Sequence, residues 1–289
     1  MTRIVVSRYG QIRNEEIASI LELMNETYER LQPHEVELVD VQFFENQSLL
    51  RDFFRREKRR YGITDDLDSE FPAIHEAWRG LPRISLSIDR LDQMNDLAAK
   101  GTVRHEVGHS ILHGSVEYYI FEIPESLAKL GAKRRLSTEC IRSILYLITI
   151  AVKDFEVSYL LFGHEYKDDQ ITYVMDLLKP STGDLESWHL ANAHAVGRVL
   201  CISGRLKDLL CAIPMMRASS DSRILDEYVI SGFSYFPPEL SRKMIDVGME
   251  LSNAMTGSTH QNVQIAANIL CERLFEPILG EHSTDRKIT

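Results

Sequence analysis

Strand-like alternation stops near residue 90, and almost everything after residue 94 carries its apolar residues at helical spacing. That limits the chain to a small sheet built from its first third and a larger helical remainder, an α+β class. Three segments alternate well enough for strands: "RIVVSRY" (3–9), "EVELVDVQFF" (35–44) and "PRISLSIDRL" (82–91). Amphipathic helices separate them. "QIRNEEIASILELMNETYERL" (11–31) has Asn14 as its expected N-cap, and "QSLLRDFFRREKRRYGI" (47–63) leads into an acidic loop, "TDDLDSEF" (64–71). Beyond residue 94, helices are expected at 95–114, 137–162, 184–211, 221–230, 238–255 and 259–275. Pro, Gly and Ser clusters at 180–183, 214–222 and 256–258 separate the later ones.

Charge and composition exclude several classes. With 289 residues, 44% of them hydrophobic and a net charge of −10, the chain can bury a sizeable core and offers little to nucleic acid or an anionic membrane. Its one basic cluster, "RREKRR" (55–60), sits on an amphipathic helix and reads as a solvated face. Cys140, Cys201, Cys211 and Cys271 form no CxxC pair and are expected to be reduced core thiols. The longest apolar run, "ILYLITIAV" (144–152), is too short to span a bilayer, and the N-terminus lacks a signal-like apolar region. A cytoplasmic location is the expectation.

One stretch carries chemistry. "KGTVRHEVGHSILHG" (100–114) holds His105, Glu106 and His109 in the pattern HExxH. A four-residue helical step turns roughly 400° and advances about 6 Å, so two imidazoles at that spacing project from adjacent turns of one face. Two such side chains can grip one ion. Glu106 points about 100° round the helix, beside the ion, where it can take a proton from metal-bound water. Uncharged inner positions, Arg104 excepted, argue against a polar helix that is merely rich in histidine. His113 lies two turns, about 12 Å, beyond His105 and cannot share its ion. It is expected to be a C-cap beside Gly114 or a group supporting the site, in preference to a substrate contact.

A catalytic zinc usually has three protein ligands. The helix 137–162 offers Asp154, whose three- and four-residue neighbours Leu147, Ile150, Ala151, Val157, Ser158 and Leu161 form an apolar face. A carboxylate there needs a cation to offset its burial. Glu156 is the alternative, on a mixed face with Lys153 and Tyr159. A donor for an oxyanion could come from Tyr118, Tyr119, Tyr159 or His164, among which the sequence does not choose. His189 and His194 are five apart and read as ordinary helix residues. "YYIFEIPESL" (118–127) is expected to pack into the core.

These residues resemble the zincin metallopeptidases. HExxH is flanked as in that superfamily, and "PRISLSI" precedes it where an edge strand is usual. The metzincin subfamily does not fit, since Leu112 and Ser115 stand where it has Gly and His. "IAVKDFEVS" is similar to the AxDxxxN helix of metallopeptidases whose third ligand is aspartate, placing Asp154 at the ligand position, though Ser158 replaces the usual Asn. The resemblance covers about residues 80–162. It implies a zincin-like domain at 1–165 with a helical subdomain at 166–289 packed against it, a Zn2+ cofactor, and a peptide or protein substrate. The rival expectation is a non-enzymatic helical interaction protein that retains a structural or vestigial metal site.

Overall fold

The computed structural model describes residues 2–61, 71–218 and 222–280. The acidic loop therefore falls almost wholly outside the described residues. The chain is α+β, about 70% helical, with a small mixed sheet. It divides into two compact units, Met1–Ile120 with Gly163–Tyr173, and Phe121–Phe162 with Val174–Thr289. That division differs from a single cut near 165, because the long helix 138–163 belongs almost entirely to the second unit while the segment after it returns to the first.

The first unit begins with β1 (Arg3–Tyr9), α1 (Asn14–Arg30), β2 (Leu38–Phe44) and α2 (Gln47–Arg60). It continues through β3 (Ala73–Glu76), β4 (Arg83–Ser87), α3 (Ile88–Asp92) and α4 (Asp96–Leu112). The sheet order is β1-β2-β4-β3, with β1, β2 and β4 parallel and β3 antiparallel to β4. "PRISLSI" is thus not the edge. Its strand β4 is interior, with all five residues buried, and the edge is the short β3 before it.

Strand alternation divides the core. Val39, Val41 and Phe43 of β2 pack with Ile17, Met24 and Tyr28 of α1 and Val103 and Val107 of α4. Phe44 instead joins Leu50 and Phe54 of α2 on the opposite side. At the start of α1 the N-cap is Arg13, not Asn14, because the Glu16 carboxylate reaches back to the Arg13 N–H at 3.3 Å. Two elements of the first unit, β3 and α3, were not expected from the sequence.

The second unit contains α5 (Glu125–Arg134), α6 (Thr138–Gly163), α8 (Thr182–Ala191), α9 (Ala195–Ala218), α10 (Ser222–Gly232), α11 (Pro238–Ala254), α12 (Thr259–Leu270) and α13 (Glu276–Gly280). A π-helical turn at Cys271–Phe275 joins the last two. Between α6 and α8 lies α7 (Asp168–Leu178), whose first half belongs to the first unit. Ile148 and Val152 of α6, Leu206 and Leu210 of α9, Leu251 of α11 and Ala266 of α12 meet in its interior.

The single helix expected at 184–211 is two. The chain reverses after Ala191, so sharply that a Cβ on Gly197 would lie 3.0 Å from the Ala191 carbonyl oxygen. Pro214, expected to mark a break, instead lies inside α9. The 118–127 segment packs into the core only at its end, where Leu127 is fully buried, while Ile120 is 67% exposed. All four cysteines are free, two of them buried. Among the described residues, no helix is long and apolar enough to cross a membrane.

Candidate metal centre

The histidine helix α4 starts where the sequence marks it, with the Asn95 side chain accepting the Leu97 N–H at 2.9 Å. From Ala98 onward it is buried on nearly every side, which its small and self-satisfying polar residues allow. Thr102 donates its hydroxyl to the Ala98 carbonyl at 2.9 Å, and Ser110 bonds Val107 O and the Tyr28 hydroxyl, both at 2.7 Å. Gly101 lets α7 approach: a Cβ there would stand 2.5 Å from the Asp169 carbonyl oxygen. Arg104, the one cation within the motif, is committed to Asp169 and to Glu26.

On this frame His105 Nε2 and His109 Nε2 come to 3.1 Å, with the rings near perpendicular at 80°. Two nitrogens that close, each about 2.0–2.1 Å from a shared ion, subtend roughly 100° there, near the tetrahedral angle zinc prefers. His105, Glu106 and His109 are 2%, 8% and 9% exposed, so the pair and its neighbouring carboxylate are removed from bulk water. His109 Nδ1 lies 3.2 Å from His113 Nδ1. If His109 donates its Nδ1 proton there, its Nε2 lone pair is left for a metal.

His113 is the C-cap residue, its N–H bonded to the His109 carbonyl at 2.7 Å, and it is fully buried. Gly114 follows because a Cβ at that position would fall 2.2 Å from Ser110 O and 3.0 Å from Pro82 Cγ. Tyr118, in the 3-10 turn Val116–Tyr119, sets its ring 5.2 Å from that of His113.

No protein-family model, characterised protein or solved structure matches this chain. The chemistry of the site therefore rests on its own residues.

Two of those residues escaped the sequence. His75, in β3, lies parallel to His109, with ring centroids 5.9 Å apart and planes 5° from parallel. Tyr173, in the first half of α7, brings its ring to 5.0 Å from His105 and is buried. Period-2 alternation in "AIHEA" puts His75 on the same face as Ala73, but a strand of four residues is too short to carry that signal in the sequence. For Tyr173 no local pattern was available.

Asp154, Glu156 and Tyr159 belong to the second unit. Asp154 is half-buried on α6, and its charge acts on Lys207 and Cys211 of α9. Burial pushes the Cys211 thiol well up, and Asp154 adds to the effect. Burial also lowers Lys153, against the opposing pull of Asp154 and Glu156. Glu156 accepts hydrogen bonds from Thr259 at 2.7 Å and Asn262 at 2.6 Å, which anchors the first turn of α12. Tyr159 is 67% exposed and leans on Phe155. Of the possible oxyanion donors, Tyr119 uses its hydroxyl to accept the Ala77 N–H at 2.8 Å. His189 lies on α8 and His194 in the turn before α9, so they do not share a helix.

Proposed function

We propose that this protein is a zinc-dependent metallopeptidase of zincin-like build, acting on a peptide or protein substrate. The observation that carries the reading is the 3.1 Å approach of His105 Nε2 to His109 Nε2 on a buried helix, with Glu106 beside them. The mixed sheet supports it too, since its antiparallel edge strand β3 lies against α4.

Asp154 is the third ligand in this reading. Two imidazoles and a carboxylate are a donor set that zinc takes. Glu156 is the weaker choice because both of its oxygens already hold α12. Zinc, when bound, supplies a Lewis acid and brings the pKa of water down toward neutrality. Glu106 Oε takes the proton of the attacking water and delivers it to the leaving amine nitrogen. His113 holds the tautomer of His109, and the surrounding burial keeps Glu106 poised in low dielectric.

Glu106→Gln tests the reading. It should keep stoichiometric zinc and lower peptide hydrolysis by at least ~100-fold, the lower end of what a general base contributes. Zinc-loaded wild type that cleaves no member of a broad peptide library would remove the enzymatic claim. Metal content unchanged by His105→Ala would remove the metal claim.

A further inference from the structure

Contacts around α4 close a circuit that the HExxH motif does not contain. Along β3, Ala73 packs with Val103 and Val107 of α4, whereas Ile74 packs with Phe44 and Phe54 toward α2. Alternation therefore turns His75 to the α4 side, where its ring lies parallel to that of His109. Just past this strand, the Ala77 N–H donates to the Tyr119 hydroxyl at 2.8 Å. Tyr119 belongs to the turn that leaves the C-terminus of α4, and its neighbour Tyr118 meets His113. Two routes thus run from the end of α4 back to His109, one through His113 and one through Tyr119, β3 and His75.

The routes restrain different motions. A hydrogen bond at Nδ1 fixes which edge of the His109 ring faces His113, but the ring can still tilt about that bond. A parallel ring at 5.9 Å restricts the tilt. Tilting would swing His109 Nε2 away from the point it shares with His105 Nε2. We infer that His75, held by the Tyr119 bond to Ala77, is a positioning residue for His109 and raises the affinity of the centre for zinc. This rests on the metal-centre reading above.

The test is zinc affinity of the full chain, measured by competition with a chromophoric chelator, alongside the thermal melt of each metal-free variant. His75→Ala should weaken zinc binding ~10-fold, at the lower end of the losses seen when partners of metal ligands are removed. His75→Phe, which keeps a flat ring, should stay within about 3-fold of wild type. Tyr119→Phe should weaken binding several-fold alone and add nothing in the His75→Ala background, because both act through one restraint. If His75→Ala does not fold, His75→Gln takes its place, keeping polarity and losing the stack. Wild-type affinity in His75→Ala, a Phe variant as weak as Ala, or independent additive losses would each overturn the clamp while leaving the metal centre standing. A wild type that binds no zinc would overturn both.

Discussion

Arg83 ties the strand pair beside the site to α2, and its removal has a magnitude and a pH signature that follow from geometry. Its guanidinium grips Glu57 with both nitrogens, at 2.8 and 2.6 Å, and also bonds Glu76 of β3. The Arg83, Glu57 and Glu76 side chains are 6%, 10% and 17% exposed. Arg83→Met leaves two largely desolvated carboxylates, with Arg79, itself half-exposed, still bonded to Glu57 at 2.8 Å. Breaking a buried pair from one side costs about 3–5 kcal/mol, and the surviving Arg79 contact puts the expectation near ~3 kcal/mol at pH 7. For a chain of this size that lowers Tm by roughly 5 °C.

The pH dependence separates this cause from lost packing. In wild type, burial alone would push the Glu57 carboxyl up, but the bonds and charges of Arg83 and Arg79 outweigh it and hold it below its usual value. A lowered carboxylate stabilises the fold above its unfolded pKa, about 4.3, and that contribution is lost as pH falls through the folded value. In Arg83→Met burial prevails, Glu57 protonates more readily, and the deficit should shrink by more than half between pH 7 and about pH 4. Urea unfolding at both pH values, with unchanged m, is the assay. A deficit under about 1 kcal/mol, or one equal at both pH values, would refute the argument.

Two further outcomes follow from single contacts. Gly114→Ala places a Cβ 2.2 Å from the Ser110 carbonyl oxygen, so the end of α4 must shift at a cost of about 1–3 kcal/mol. His113 moves with it, so a thermal melt should show the loss together with weaker zinc binding. Glu156→Gln keeps Oε1 on Asn262 and can donate its amide to the Thr259 hydroxyl, so only the charge on these two bonds is lost, at about 1 kcal/mol by urea unfolding. Zinc content measured by elemental analysis should stay unchanged, and its loss would make Glu156 a ligand.

The legible parts of the fold are those specified locally. Asn95 and the residues around Gly114 bound α4 to within two residues, since a cap and a stop are one-dimensional signals. The same holds for α6, predicted at 137–162 and found at Thr138–Gly163. What failed were relations between segments. Strand β4 reads as a strand, yet nothing in "RISLS" states that it has a neighbour on each side. The break between α8 and α9 depends on Gly197 meeting Ala191 after the reversal, a contact that appears only once the chain has turned.

The candidate site divides in the same way. HExxH encodes its own geometry because one helix carries all of it, so the 3.1 Å approach of the two Nε2 atoms is a consequence of four-residue spacing. Choosing between Asp154 and Glu156 is a different problem. A helical wheel places both carboxylates but knows nothing of α12, more than one hundred residues away, whose Thr259 and Asn262 occupy Glu156. His75 is harder still, because its relevance needs three facts at once: the pairing of β3 with β4, the face that alternation assigns, and the packing of that face on α4. A motif can therefore announce the atoms that would bind a metal. The side chains that hold those atoms still must come from the fold, and their contribution is measurable as affinity even before a substrate is known.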